Sequence, residues 1–355
     1  MTKYIFSFTF ALAISCLASA VDLDGSFTFQ QEYLKIKGIK ARHRQRVKAY
    51  LTGNHTLNEN AKVTIGLASG PTTPTSTYNT LGGSFSSMAV NLDQANAQLS
   101  TWKNQIHSTF GKMKDPFTRV GGSQLQWDSD VRPEGISLNF DNKEVVANLG
   151  GFVLQERPVD EDSLLFAGDV YFPIELNEKT SLKLGFGVFV YTQVRGKSTL
   201  FDNENTYGNS GTAIVGTTST TYTYTEDYTL MNPGIELNTR LSNIPFKVYF
   251  DFVYNTEASN DNTGWTFGAQ LGDVKGWKDF SVAAYFLRKE ADAVLGALTD
   301  SNFYSQSTGT QGFVLSGAFG LFDNVSSSLT WYSTDAIGSA KARENRLQLA
   351  ASMKF

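Results

Sequence analysis

Apolar side chains recur at every second position along much of this chain. Phe246, Val248, Phe250, Phe252 and Tyr254 alternate with Lys247, Tyr249, Asp251 and Val253. Leu182, Leu184, Phe186, Val188 and Val190 alternate with Ser181, Lys183, Gly185 and Gly187. Trp265, Phe267, Ala269 and Leu271 oppose Thr266, Gly268 and Gln270, and Phe313, Leu315, Phe319 and Leu321 oppose Val314, Ser316, Ala318 and Gly320. Successive side chains of a strand point to opposite faces, so each segment predicts a strand with unlike faces. No long stretch keeps a helical period.

The pattern predicts sixteen strands, near 23–33, 40–51, 61–69, 90–99, 105–112, 132–140, 144–155, 163–173, 180–193, 225–240, 245–256, 263–273, 277–288, 311–322, 325–334 and 343–355. Their ends are set to within about two to four residues. Connections alternate in length. Asp141-Asn142-Lys143, Ser242-Asn243-Ile244 and Asp323-Asn324 make short turns, whereas 70–89, 113–131, 194–224 and 289–310 are long and rich in Gly, Ser, Thr, Asn and Asp. All four long connections then fall at one end of an antiparallel sheet. A miscount by two strands keeps that alternation, so fourteen or eighteen strands satisfy it too. The chain reads as one all-β domain over 21–355.

The N-terminus changes the setting. Lys3 precedes an apolar run from Tyr4 to Leu17, closed by Ala18-Ser19-Ala20, the layout of a secretory leader over 1–20 cleaved before Val21. The sole cysteine, Cys16, falls inside it, so no disulfide or thiolate metal site is expected in the exported chain. The leader takes one of 30 basic residues and none of 34 acidic ones, leaving an acidic protein unsuited to nucleic acid. No further apolar run is long enough for a spanning helix. Strands closed into a barrel are the other way to cross a bilayer, because every backbone polar group is then paired. Aromatic content of 13% with 31 glycines and 8 prolines fits a transmembrane antiparallel β-barrel with aromatic girdles. A hydrophobic content of 41% fits an inner face wetted by water.

Two segments could carry function. Arg42, Arg44, Arg46 and Lys48 repeat at spacing two, so a strand stacks them on one face. Facing lipid, each would cost about 2–4 kcal/mol at the midplane, so the ladder is expected to line the lumen. The connection near 113–131 holds Asp115, Arg119, Asp128 and Asp130, with Arg132 and Glu134 just beyond. Asp128 and Asp130 also supply oxygen ligands for calcium, but no further acidic cluster completes a site.

The last residues, from Arg346 to Phe355, alternate again and end on an aromatic, as in the C-terminal signature of outer-membrane barrels. Phe355 is therefore expected to serve as a signal to the barrel-assembly machinery. Arg44-x-Arg46, Ser69-Gly70 through Ser76, Leu92-Asp93-Gln94-Ala95, Gly111-Lys112-Met113 with Pro116-Phe117, and Trp127-Asp128-x-Asp130-x-x-Pro133-Glu134-Gly135 together resemble a porin family of Gram-negative bacteria. The resemblance is clearest over 40–140. It implies an outer-membrane diffusion channel for small hydrophilic solutes and ions, seated in outer-membrane lipid, with no cofactor. By analogy with sixteen-stranded porins, a homotrimer is expected. In general porins the third external loop folds inward, and 113–131 holds that place. Its acids would then face the Arg ladder across the opening. Many members carry a coiled coil ahead of the barrel; no heptad segment precedes the first strand here, so tethering to the envelope is not expected.

An enzyme is not expected. The histidines are His43, His55 and His107, and no Gly-x-Ser-x-Gly, Walker or zinc-ligand spacing occurs. Two other readings fit the same strands. One is a structural or adhesive barrel acting through its outer loops. The other is a sugar-specific channel, which would show an aromatic track along the lumen.

Overall fold

The computed structural model describes residues 21–355; the predicted leader lies outside the described residues. Among these, a closed barrel of 16 antiparallel strands forms, with almost no helix. The strands are β1 (Val21–Ile36), β2 (Arg42–Asn58), β3 (Ala61–Ser69), β4 (Val90–Thr101), β5 (Ile106–Lys112), β6 (Glu134–Asp141), β7 (Val146–Gln155) and β8 (Ser163–Asn177). They continue as β9 (Thr180–Thr192), β10 (Tyr228–Leu241), β11 (Ile244–Asn255), β12 (Thr263–Gly272), β13 (Phe280–Lys289), β14 (Thr310–Phe322), β15 (Val325–Ala336) and β16 (Ser339–Lys354). Neighbours in sequence are neighbours in the sheet, and β1 closes the ring on β16 from Ser26↔Lys354 to Ile36↔Glu344.

The predicted strands are all present, with shifted ends. β2 runs on through Thr52–Asn58, a polar stretch that reads as a turn. Register with β1 and β3 holds it extended, from Val21↔His55 to Asn58↔Ala61. The long connections 70–89, 113–133, 193–227 and 290–309 share one end, as the alternation requires. Two of them contain strands of their own: Asn79–Thr80, which pairs with β2 above the short β3, and the hairpin of Gly211–Val215 with Thr220–Tyr224.

Outward positions expose Phe166, Phe186, Phe267, Phe313, Leu315 and Trp331, an apolar belt. The inner wall has two characters, where the composition suggested one. From β1 to β4 it is polar. From β7 to β14 its inward side chains include Phe152, Leu165, Phe189, Leu230, Val253, Leu287 and Val314, all buried. They pack on Phe117, Leu125 and Trp127 of the 113–133 loop and on Val294, Leu295, Leu298 and Phe303 of the 290–309 loop. Each side chain buried fully is worth about 1.5–3 kcal/mol, so this inner core fixes both loops inside the barrel.

Candidate permeation site

The 113–133 loop crosses the interior by spending its backbone N–H groups on wall carboxylates. Thr118 donates to Asp169 Oδ2 on β8 (2.7 Å), and Gly121 to Glu236 Oε2 on β10 (2.5 Å). Gly121 has φ 62°, and a Cβ there would stand 2.2 Å from the Tyr249 ring of β11. Glycine answers both demands. Farther on, Trp127 Nε1 donates to the Tyr191 hydroxyl (2.9 Å), and Arg119 clips the loop through Asp115 (2.6 Å) and the Trp127 carbonyl (2.9 Å). The loop then meets the second inward loop: Asp128 N–H donates to the Leu298 carbonyl (2.7 Å), and Ser301 N–H to Asp128 Oδ2 (2.9 Å).

The basic ladder points inward, but it is no free strip of charge. Arg44 is paired with Glu32 of β1, and Arg46 reaches the same carboxylate at 3.4 Å. Arg346 of β16 takes it at 3.3 Å and Gln348 at 2.9 Å, and Glu32 is wholly buried. Arg46 is covered by the 70–89 loop, with Ser76 Oγ at 3.1 Å and the Tyr78 ring 4.5 Å below its guanidinium. Arg42 stays exposed near the rim. Lys48 is the rung that meets the crossing loop, 3.2 Å from Asp130 Oδ1.

Asp130 is the junction. Its Oδ1 also accepts from the Tyr50 hydroxyl (2.8 Å), and its Oδ2 accepts from Thr77 N–H (3.1 Å) and Thr77 Oγ1 (3.0 Å). Beside it Arg132 pairs with Asp93 of β4 (2.9 Å), and at the strand ends Lys112 pairs with Glu134 (2.5 Å). Two cavities meet there. One of about 600 Å³ opens between the 70–77 segment, Phe152, Phe201 and Leu298. The other, about 370 Å³, runs toward Asp24 and Lys354 at the short-turn end. Asp93, Asp130 and Arg132 line both.

These placements revise the expected facing of charges. Asp130 touches the ladder rather than opposing it across a gap. Asp115 pairs with Arg119 beside the acidic β8–β11 wall, and Asp128 is turned into the joint between the loops. Burial, together with the charges of Asp300 and Asp130, pushes the Asp128 carboxyl up to about 7. Burial also raises Asp300. Asp130 goes the other way: burial opposes its charge, but Lys48 and the donors Tyr50 and Thr77 outweigh it and hold it below its usual range. A calcium site gains no support here. The oxygens of Asp128 and Asp130 are taken by protein donors, and Lys48 stands where a cation would be needed.

Sequence reading missed Glu32, Asp93 and Tyr50 at this site, and the whole inward course of 290–309. Glu32 had a signal only as an acid at an inward position of β1; its register with Arg44 comes from the structure. Aromatic side chains that line the two cavities are Trp127, Phe152 and Phe201 in the larger and Tyr50 and Phe355 in the smaller. Trp127 and Phe152 are also packed edge to face with Phe117, as is Phe189, in the inner core.

A closed sixteen-stranded barrel with an apolar outer belt and a loop-narrowed lumen defines a porin-type channel of the bacterial outer membrane. The chain belongs to the family described as "Putative porin", whose profile matches residues 31–232 and 235–355. It forms an outer-membrane porin channel. No curated protein matches it in sequence. Solved structures share its fold. OprB of Pseudomonas putida, at high pH, is 9% identical with a TM-score of 0.62, over 96% of each chain. A loop-deletion mutant of OmpT, an outer membrane protein of Vibrio cholerae, is 12% identical with a TM-score of 0.55, over 95% of this chain and 100% of that one. A multiply substituted Rh. blastica porin is 13% identical with a TM-score of 0.52, over 94% and 100%.

Proposed function

We propose that small hydrophilic solutes and ions diffuse passively along the β1–β6 side of the barrel. Solutes enter the larger cavity, pass Asp93, Asp130 and Arg132, and leave through the smaller one. The observation that carries this reading is that both cavities are lined by those three residues. The other side of the lumen, toward the long-loop end, is filled by the inner core. The long connections are extracellular in this arrangement, since short periplasmic turns and longer outer loops are the rule for such barrels. Cysteine placed at Lys48 tests the route, because the chain's one cysteine lies in the predicted leader. A charged methanethiosulfonate reagent should then reduce single-channel conductance in planar bilayers. Unchanged conductance after verified labelling puts the route elsewhere, and a silent barrel favours an adhesive or structural role.

We further propose a homotrimer that buries the outer face of β2–β6. β5 has 7 residues and β6 has 8, short of the about 9–11 that a tilted, lipid-facing strand needs. Outward positions of β2 include His43, Gln45, Ala49 and Gly53, poor partners for acyl chains. A monomeric mass in mild detergent overturns the trimer. Phe355, on the lipid side of the closing strand, is the residue we assign to recognition by the assembly machinery.

A further inference from the structure

We infer that the larger cavity selects zwitterionic solutes with an apolar body, of which the α-amino acids with aliphatic or aromatic side chains are the smallest class. The inference rests on the route proposed above and names its solutes. Two features of the cavity lining carry it.

The first is charge order. Lys112–Glu134 at the strand ends, Arg132–Asp93 beside it and Lys48–Asp130 at the junction are three ion pairs along one route. Each offers both signs within a few ångströms. An ion of one sign meets attraction and repulsion together at every pair. A zwitterion can instead exchange partners, its carboxylate turning to Arg132 or Lys112 and its ammonium to Asp93 or Glu134. Bare sugars gain neither contact. The exposures suit such exchange at the outermost pair, where the side chains of Lys112 and Glu134 are 31% and 62% exposed. Exposed pairs of this kind hold each other by only about 0.2–1 kcal/mol, so a solute can compete with them.

The second feature is the apolar part of the same lining. Leu154 and the half-exposed Phe201 present apolar surface to the same space, backed by the buried Phe152 and Leu298. A passage for wholly hydrophilic solutes has no use for it, since water must be ordered against it or displaced. A side chain of leucine or phenylalanine covers it while the charged end stays on the ion-pair wall.

The test uses the full barrel in proteoliposomes, comparing influx of L-leucine, L-serine, arabinose and isocaproate by osmotic swelling. Single-channel conductance in potassium chloride is measured on the same preparation. Leucine should enter several-fold faster than arabinose and isocaproate, and faster than the smaller serine. Phe201→Ser should erase the advantage over serine, and Asp93→Asn the advantage over isocaproate. Rates ordered by size alone, with normal conductance, overturn the solute class and leave the channel standing. Absence of both conductance and influx overturns the route as well. Heat-modifiable gel migration of the Phe201→Ser variant, unchanged from wild type, shows that its barrel is folded, so a lost leucine advantage is then a loss of recognition.

Discussion

Lys48 Nζ and Asp130 Oδ1 stand 3.2 Å apart, joining a wall strand to the loop that crosses the lumen. The pair sits at the meeting of the two cavities, so the charge left by removing either partner is felt by passing ions. Asp130→Asn should shift selectivity toward anions and Lys48→Gln toward cations. With about 0.5–1 kcal/mol of local potential surviving solvent screening, the permeability ratio changes roughly two- to fivefold. Reversal potentials across a salt gradient measure it, and the double variant should return near the starting value.

The crossing loop occupies part of the lumen. Removing residues 118–126 takes away Val120 and Leu125, both fully buried, and the ties to Asp169 and Glu236. Single-channel conductance should rise. An unchanged value would transfer the constriction to the 290–309 loop, which fills the barrel from the opposite wall.

Glu32 is a strong point of the wall. It is the shared partner of Arg44, Arg46 and Arg346, with no exposure to water. Glu32→Gln keeps the shape and leaves Arg44 and Arg46 without their counter-charge, while Arg346 keeps Glu344 at 3.0 Å. Breaking a buried pair from one side costs about 3–5 kcal/mol. Thermal unfolding in detergent should move down accordingly, while Arg42→Gln, at the exposed rim, should leave it unchanged.

The joint between the two inward loops should respond to pH. Asp128 and Asp300 are both raised by burial, Asp128 to about 7 from 3.8. A raised carboxyl favours the folded joint while it is protonated. The stabilisation is fully present below about 4 and is lost as pH climbs through about 7. Asp130, Lys289, Arg346 and Tyr332 share the field of the pair, Lys289 offsetting part of the repulsion. Channel current should therefore become noisier from acid to mildly alkaline pH, and Asp128→Asn should flatten that trend. A pH-independent wild-type record would remove the joint as a source of motion.

The strands were legible because a wall between lipid and a lumen imposes period two, and Phe246 to Tyr254 carries it plainly. What hid the site was the dry half of the interior. Ser163-Leu164-Leu165-Phe166-Ala167 is apolar on both faces, the mark of a strand covered on both sides. So is Ala293-Val294-Leu295 within a connection otherwise read as polar. Those runs carry a signal of inward packing that the alternation argument passed over, and they do not say which loop meets which wall. The basic ladder was readable as inward from the cost of facing lipid. Its neutralisation by Glu32 was not, because register between β1 and β2 depends on a turn whose length the sequence left open.

At the opposite end of the wall, Phe355 and Gly25 exchange both backbone hydrogen bonds (2.7 and 3.0 Å), and the ring lies where a Gly25 Cβ would be, 2.1 Å away. That contact completes a cylinder whose inside, along β7–β14, is too greasy to stay in water alone. A cylinder sealed before its loops enter would hold a hollow lined by Phe152, Phe189 and Leu230. Such a hollow repels water and invites any apolar guest, so the loops act as the wall's own ligand. Refolding should pass through a closed, dye-binding stage whose fluorescence fades as the loops dock. The last step of assembly is then the formation of a globular-protein core, carried out inside a membrane protein.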